Sequence, residues 1–89
     1  MYSFEEFRAA MLRRIATIVH VDTVHSTDSI RDLQIDDLYL TNILMSAECL
    51  LMCDIPETAV VEMAKELLDK EKTVQDILDA VWKQREVSA

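Results

Sequence analysis

The sequence predicts an all-α fold, a bundle of four helices with one long connection after the first. Three observations predict it. None of the 89 residues is glycine and only Pro56 is proline, so helix breakers are almost absent. Apolar residues recur at spacings of three and four along most of the chain, the period of a helix with one buried face. Helix-start signals stand where those stripes begin. The lack of glycine also excludes phosphate-cradling loops, the dinucleotide fingerprint and tight Asn-Gly or Asp-Gly hairpins.

The first helix begins with Ser3-Phe4-Glu5-Glu6, a capping box in which the Ser3 hydroxyl and the Glu6 carboxylate accept from free backbone N–H groups. Phe4, Phe7, Met11, Ile15 and Ile18 form its inward stripe, and the pattern fades near Val19. From His20 to about Ile35 no period is sustained, so this stretch reads as a loop pinned by Val21, Val24, Ile30 and Leu33. Asp36 is placed to cap a second helix running to about Cys53. Of residues 36–53, 12 of 18 are apolar, too many for one face, so this helix is central or half-covered by a partner. Leu38, Ile43, Met45 and Leu51 are expected inward; Tyr39, Cys49, Leu50 and Met52 are left for the outside, under the third helix or at an interface.

Pro56 suits the first turn of a third helix, where its missing N–H costs nothing. Val60, Met63, Ala64, Leu67 and Leu68 supply the inward stripe, and Glu66 with Lys70 an outer i,i+4 ion pair. Thr73-Val74-Gln75-Asp76 resembles a second capping box, followed by the stripe Val74, Ile77, Leu78, Val81 and Trp82; residues from Arg85 onward are expected to fray. One domain, residues 1–89, accommodates all four helices. A chain of this size buries about 60–65% of its surface on folding, and a 51% apolar fraction is enough for that core.

Charge narrows the functions. Seventeen acids against nine bases leave −8, which repels nucleic acid and anionic membranes and favours a partner with a basic surface. Residues 1–20 carry Glu5 and Glu6 against Arg8, Arg13 and Arg14, net +1, so the rest of the chain holds −9. Cys49 and Cys53 fit a reduced thiol pair better than a disulfide framework. They are two ligands of the four zinc takes, with His20 and His25 in a separate loop, so no metal site is assigned. C-x₃-C lacks a redox surrounding, and no oxyanion turn supports a cysteine nucleophile, so no enzyme activity is expected. Arg8, Arg13 and Arg14 interrupt the N-terminal apolar positions, so neither a signal peptide nor a spanning segment is read and a cytoplasmic protein is expected.

Taken in order, Leu33-Gln34-Ile35-Asp36-Asp37-Leu38, a helix, Asp54-Ile55-Pro56, and Thr73-Val74-Gln75-Asp76 resemble an acyl carrier protein over roughly residues 4–84. The family's pattern is L-G-x-D-S-L, a helix, I-P, a short third helix, and T-V-x-D. The resemblance implies the carrier's four-helix bundle, here with an extended third helix. In the family the serine of D-S-L carries phosphopantetheine through a phosphodiester, which needs a hydroxyl oxygen; Asp37 stands at that position. Gln34 replaces the family's glycine. Asp36 and Glu48 keep acidic places on the second helix, whereas Tyr39, Asn42, Cys49 and Leu50 occupy places where carriers often have acids or small polar groups. Asp28-Ser29-Ile30 echoes D-S-L but lies earlier, within the loop, where a turn serine is the simpler account.

The resemblance therefore implies a carrier-like, non-catalytic interaction module that is unmodified at Asp37, with no cofactor. It would act as scaffold, decoy or regulator for enzymes of fatty-acid or polyketide-type metabolism. Asp37 would serve either as an ordinary first-turn residue, stabilising by a few tenths to about 1 kcal/mol, or as a carboxylate where a phosphate sits in the family. Expected partner-binding residues are Asp36, Asp37, Tyr39, Asn42, Glu48, Cys49, Leu50 and Met52, facing a basic carrier-docking surface or a second copy of the chain. The alternative is a true acyl carrier whose attachment serine is replaced by Asp37, with phosphopantetheine as its cofactor. A helical adaptor unrelated to carriers is the third reading.

Overall fold

A computed structural model of the chain describes residues 2–69 and 71–88. It contains four helices, α1 Phe4–Val19, α2 Asp37–Leu51, α3 Glu57–Asp69 and α4 Val74–Ser88. Among the described residues there is no strand, only an isolated antiparallel bridge between Ser29 and Thr73. The all-helical architecture expected from the sequence is therefore present.

The start of α1 follows its residues closely. Ser3 Oγ accepts the Glu6 N–H at 3.2 Å and Glu6 Oε1 accepts the Ser3 N–H at 3.0 Å, satisfying backbone donors that the helix itself leaves open. The bond from the Ser3 backbone, helped by its hydroxyl, holds the Glu6 carboxyl below its ordinary value. At the start of α4 the Thr73 N–H and hydroxyl both donate to Asp76 Oδ2, at 2.8 and 3.2 Å. The reciprocal bond of a full capping box is replaced by one from the Asp76 N–H to the Thr73 carbonyl at 3.0 Å.

Phe7, Met11 and Ile15 of α1, Leu40, Ile43 and Leu44 of α2, and Val74, Ile77, Leu78 and Val81 of α4 are almost wholly withdrawn from water. Each such side chain contributes about 1.5–3 kcal/mol relative to exposure. Met63 and Leu67 bring α3 into the same core, with Val60, Ala64 and Leu68 partly buried beside them. Phe4 meets Trp82 edge-on at 5.3 Å, Phe7 lies 5.3 Å from the same ring, and the Arg85 guanidinium sits 4.0 Å from its centroid. This stack ties α1 to α4, and α4 runs through Arg85 to Ser88 where fraying was expected. Pro56 precedes α3 and its carbonyl accepts the Val60 N–H at 3.0 Å. The expected Glu66–Lys70 pair involves Lys70, which lies outside the described residues.

The long connection is tied down through its backbone. Ile30 N–H donates to the Lys72 carbonyl, Val74 N–H to that of Asp28 and Gln75 N–H to that of Ser26, each at 2.9 Å. These bonds stitch the α1–α2 loop to the α3–α4 junction. Val24, Ile30 and Ile35 are buried beneath it and Leu33 partly so. Val21, expected as a fourth pin, is 39% exposed. It follows directly on the left-handed cap at His20, which turns the chain away from the α1 stripe.

Three turns end in the same way without glycine. His20, Gln34 and Met52 hold φ of 62°, 56° and 52°. After each, the next N–H reaches back five residues: Val21 to the Ala16 carbonyl, Ile35 to Ile30 and Cys53 to Glu48. This is the Schellman closure, whose left-handed position favours glycine because a Cβ there costs roughly 1–2 kcal/mol. Replacing Gln34, His20 or Met52 singly with glycine is expected to raise stability by about 0.5–1 kcal/mol, the strain relieved less the added freedom of the unfolded chain. Urea denaturation measures this; equal or lower midpoints in all three variants would contradict it.

Candidate surface on the second helix

Asp36 sets the start of α2. Its Oδ1 accepts the Tyr39 N–H at 2.9 Å, and its carbonyl accepts that of Leu40 at 2.9 Å. Asp37 is the first helical residue; its carbonyl takes the Thr41 hydroxyl at 2.8 Å and its side chain is exposed. Both carboxylates thus stand at the positive end of the helix dipole.

The buried face of α2 is Leu40, Ile43, Leu44 and Ala47. At 3.6 residues per turn, Leu38, Asn42, Met45 and Cys49 must lie opposite. Leu38 is accordingly 68% exposed and Met45 57%, although the sequence reading placed both inward with Ile43. The two sets cannot share a face. Tyr39 and Leu50, expected outside, pack partly against the core, and Leu51 does so as expected. Asn42 and Cys49 are exposed, and Met52, at the left-handed end of the helix, is 91% exposed. Leu38, Met45 and Met52, seven residues apart, form an apolar line along the outer side. The helix stops at Leu51 and not at about Cys53, because Met52 adopts the left-handed cap.

Two surface hollows flank this line. One of about 430 Å³ lies at the N-terminal end, lined by Ile30, Arg31, Gln34, Ile35, Asp36, Asp37, Leu67 and Leu68. The turn before Asp36 is held by the Schellman bond at Gln34 and by Ser29, whose Oγ accepts the Arg31 and Asp32 N–H groups at 3.1 and 3.3 Å. Ser29 therefore has a structural use as a turn cap. The other hollow, about 350 Å³, lies at the C-terminal end among Met45, Glu48, Cys49, Met52, Cys53 and Asp54. Glu48 Oε2 accepts the Ile55 N–H at 3.1 Å, so this carboxylate, like that of Asp36, is engaged by the backbone.

The two thiols differ. Cys49 is exposed and Cys53 half-buried; burial first, then the charges of Glu48 and Asp54, push the Cys53 thiol above its ordinary value. His20 closes α1, His25 lies in the loop, and among the described residues no three His, Cys, Asp or Glu side chains gather to hold a metal ion. No helix among the described residues is long and apolar enough to cross a membrane.

Leu38 and Met45 are the surface residues that sequence reasoning missed; the seven-residue spacing to Met52 is the signal that finds them. The thiol contrast predicts that iodoacetamide at pH 8 modifies Cys49 well before Cys53, because the reacting species is the thiolate and access favours Cys49. Peptide mass spectrometry over time measures this, and equal rates or faster labelling of Cys53 would contradict it. Comparison with protein-family models, with curated proteins and with solved structures finds no match to the chain.

Proposed function

We propose that the chain is a carrier-like, non-catalytic docking module whose outer α2 face binds a protein partner, and that it is not primed with phosphopantetheine at Asp37. The observation that carries this reading is the apolar line Leu38, Met45 and Met52, exposed along α2 and its C-terminal cap, in a helix that Asp36 caps and Asp37 begins. Large apolar side chains in a row, with carboxylates at both ends, suit a protein interface. Methionine adds adaptable contact. With −9 outside residues 1–20, the fitting partner surface is basic with an apolar centre, as on acyl-processing enzymes that receive carriers. A module of this kind occupies such a surface without delivering an acyl chain, as scaffold, decoy or regulator.

Asp37 supports the unprimed reading chemically, since a carboxylate offers no hydroxyl oxygen for a phosphodiester. A second reading, a true carrier with its attachment serine replaced, draws on the hollow beside Asp37, whose walls include Ile30, Ile35, Leu67 and Leu68. Gln34 opposes it: this side chain stands in the turn next to the attachment position and lines the same hollow.

Restoring the hydroxyl separates the two. Asp37→Ser, incubated with coenzyme A and a broad-specificity phosphopantetheinyl transferase, is expected to remain unmodified by intact-mass spectrometry, and Asp37→Ser with Gln34→Gly to gain at most partial modification. Rapid, complete priming of the single variant would overturn the docking-module reading in favour of the carrier.

A further inference from the structure

We propose that Met45, Cys49, Met52 and Cys53 form a binding site for monovalent copper, Cu(I), at the C-terminal end of α2. The four sulfur side chains fall within nine residues, in the order M-x₃-C-x₂-M-C. They include both cysteines and two of the five methionines of the chain. Met45 and Cys49 are one turn apart on the outward face of the helix. Beyond Leu51 the left-handed residue Met52 and the Cys53 N–H bond to the Glu48 carbonyl, 3.2 Å, fold the chain back on the last turn. All four residues consequently line one hollow of about 350 Å³, open to solvent at Cys49 and Met52.

The donor set selects the metal. Thiolates and thioethers are soft ligands that favour Cu(I) over harder divalent ions. A zinc site is disfavoured because the histidines are elsewhere, the Glu48 carboxylate is held by the Ile55 N–H, and among the described residues no three His, Cys, Asp or Glu side chains gather to hold a metal ion. Cu(I), a closed-shell ion, needs neither histidine nor a fixed tetrahedral cage. On binding, the two S–H bonds break and two Cu–S bonds form, both protons passing to solvent. The thioethers donate lone pairs with no proton change, and copper stays monovalent throughout. Glu48 and Asp54 at the rim add negative charge that favours a cation, while Glu48 Oε2 remains on the Ile55 N–H.

The test is anaerobic titration of the reduced full chain with the acetonitrile complex of Cu(I), in competition with bathocuproine disulfonate. One Cu(I) per chain is expected, with a sulfur-only shell by X-ray absorption. Cys49→Ser with Cys53→Ser should weaken binding by at least about 100-fold, and Met45→Leu with Met52→Leu by about 10-fold. All four side chains lie outside the buried core, and far-UV circular dichroism verifies that each variant keeps its helices. Failure to withdraw Cu(I) from the competitor, or equal affinity in the cysteine variant, would overturn the site. Unchanged affinity in the methionine variant would overturn the four-sulfur assignment. No protein partner enters the experiment, so a negative result here leaves the docking reading standing.

Discussion

Leu40, Ile43, Leu44 and Ala47 leave almost no surface to water, and their burial decides how α2 is turned about its own axis. Every feature of the outer face follows from that rotation. A helix turned the other way would bury Leu38 and Met45 and expose the residues that now meet the core. That rotation would exchange three buried side chains, Leu40, Ile43 and Leu44, each contributing about 1.5–3 kcal/mol, for Leu38 and Met45, and would press polar Asn42 against the core. Asp36 fixes the same register from the end: its carboxylate can hold the Tyr39 N–H only if the helix begins at Asp37. Core burial and capping thus agree, and the apolar line of Leu38, Met45 and Met52 is what remains outside.

The position of Asp36 depends in turn on a connection that has no regular structure of its own. Backbone bonds from residues 26–30 to residues 72–75 hold the loop against the start of α4, and Val24, Ile30 and Ile35 bury its underside. The turn then closes at Gln34 in a conformation that favours glycine. A chain free of glycine uses His20, Gln34 and Met52 for the same task, each with a Cβ in the left-handed region. At Gln34 and Met52 this places a long side chain beside a surface hollow. Turn closure and surface chemistry therefore meet at the same two residues.

Much of the fold was legible because local signals and burial agree. Ser3 and Glu6 announce α1, Asp36 announces α2, and the stripes of α1, α3 and α4 each have one apolar face to offer. The second helix was harder, since its apolar residues cover more than one face and spacing alone does not choose between Leu38 with Met45 and Leu40 with Leu44. That choice is made by neighbouring helices. Hydrogen bonds between the loop and the α3–α4 junction join residues more than forty positions apart, so no local pattern carries them. At the site, the place of Asp36 and Asp37 at the head of α2 agrees with expectation, and of the two alternatives left open for Cys49 and Met52 the third helix does not cover them: both are exposed. Partial burial of Tyr39 and Leu50, and the backbone bond that occupies Glu48, arise from tertiary packing.

α2 and its cap Met52 present Leu38, Met45 and Met52 to solvent while Leu40 and Leu44 face the core. Methyl NMR of the labelled chain with a soluble paramagnetic agent measures this directly. Strong broadening of the Leu38, Met45 and Met52 methyl signals, with those of Leu40 and Leu44 protected, is the predicted result. Protection of Leu38 and Met45, with broadening at Leu40 or Leu44, would show a differently rotated helix and contradict the account.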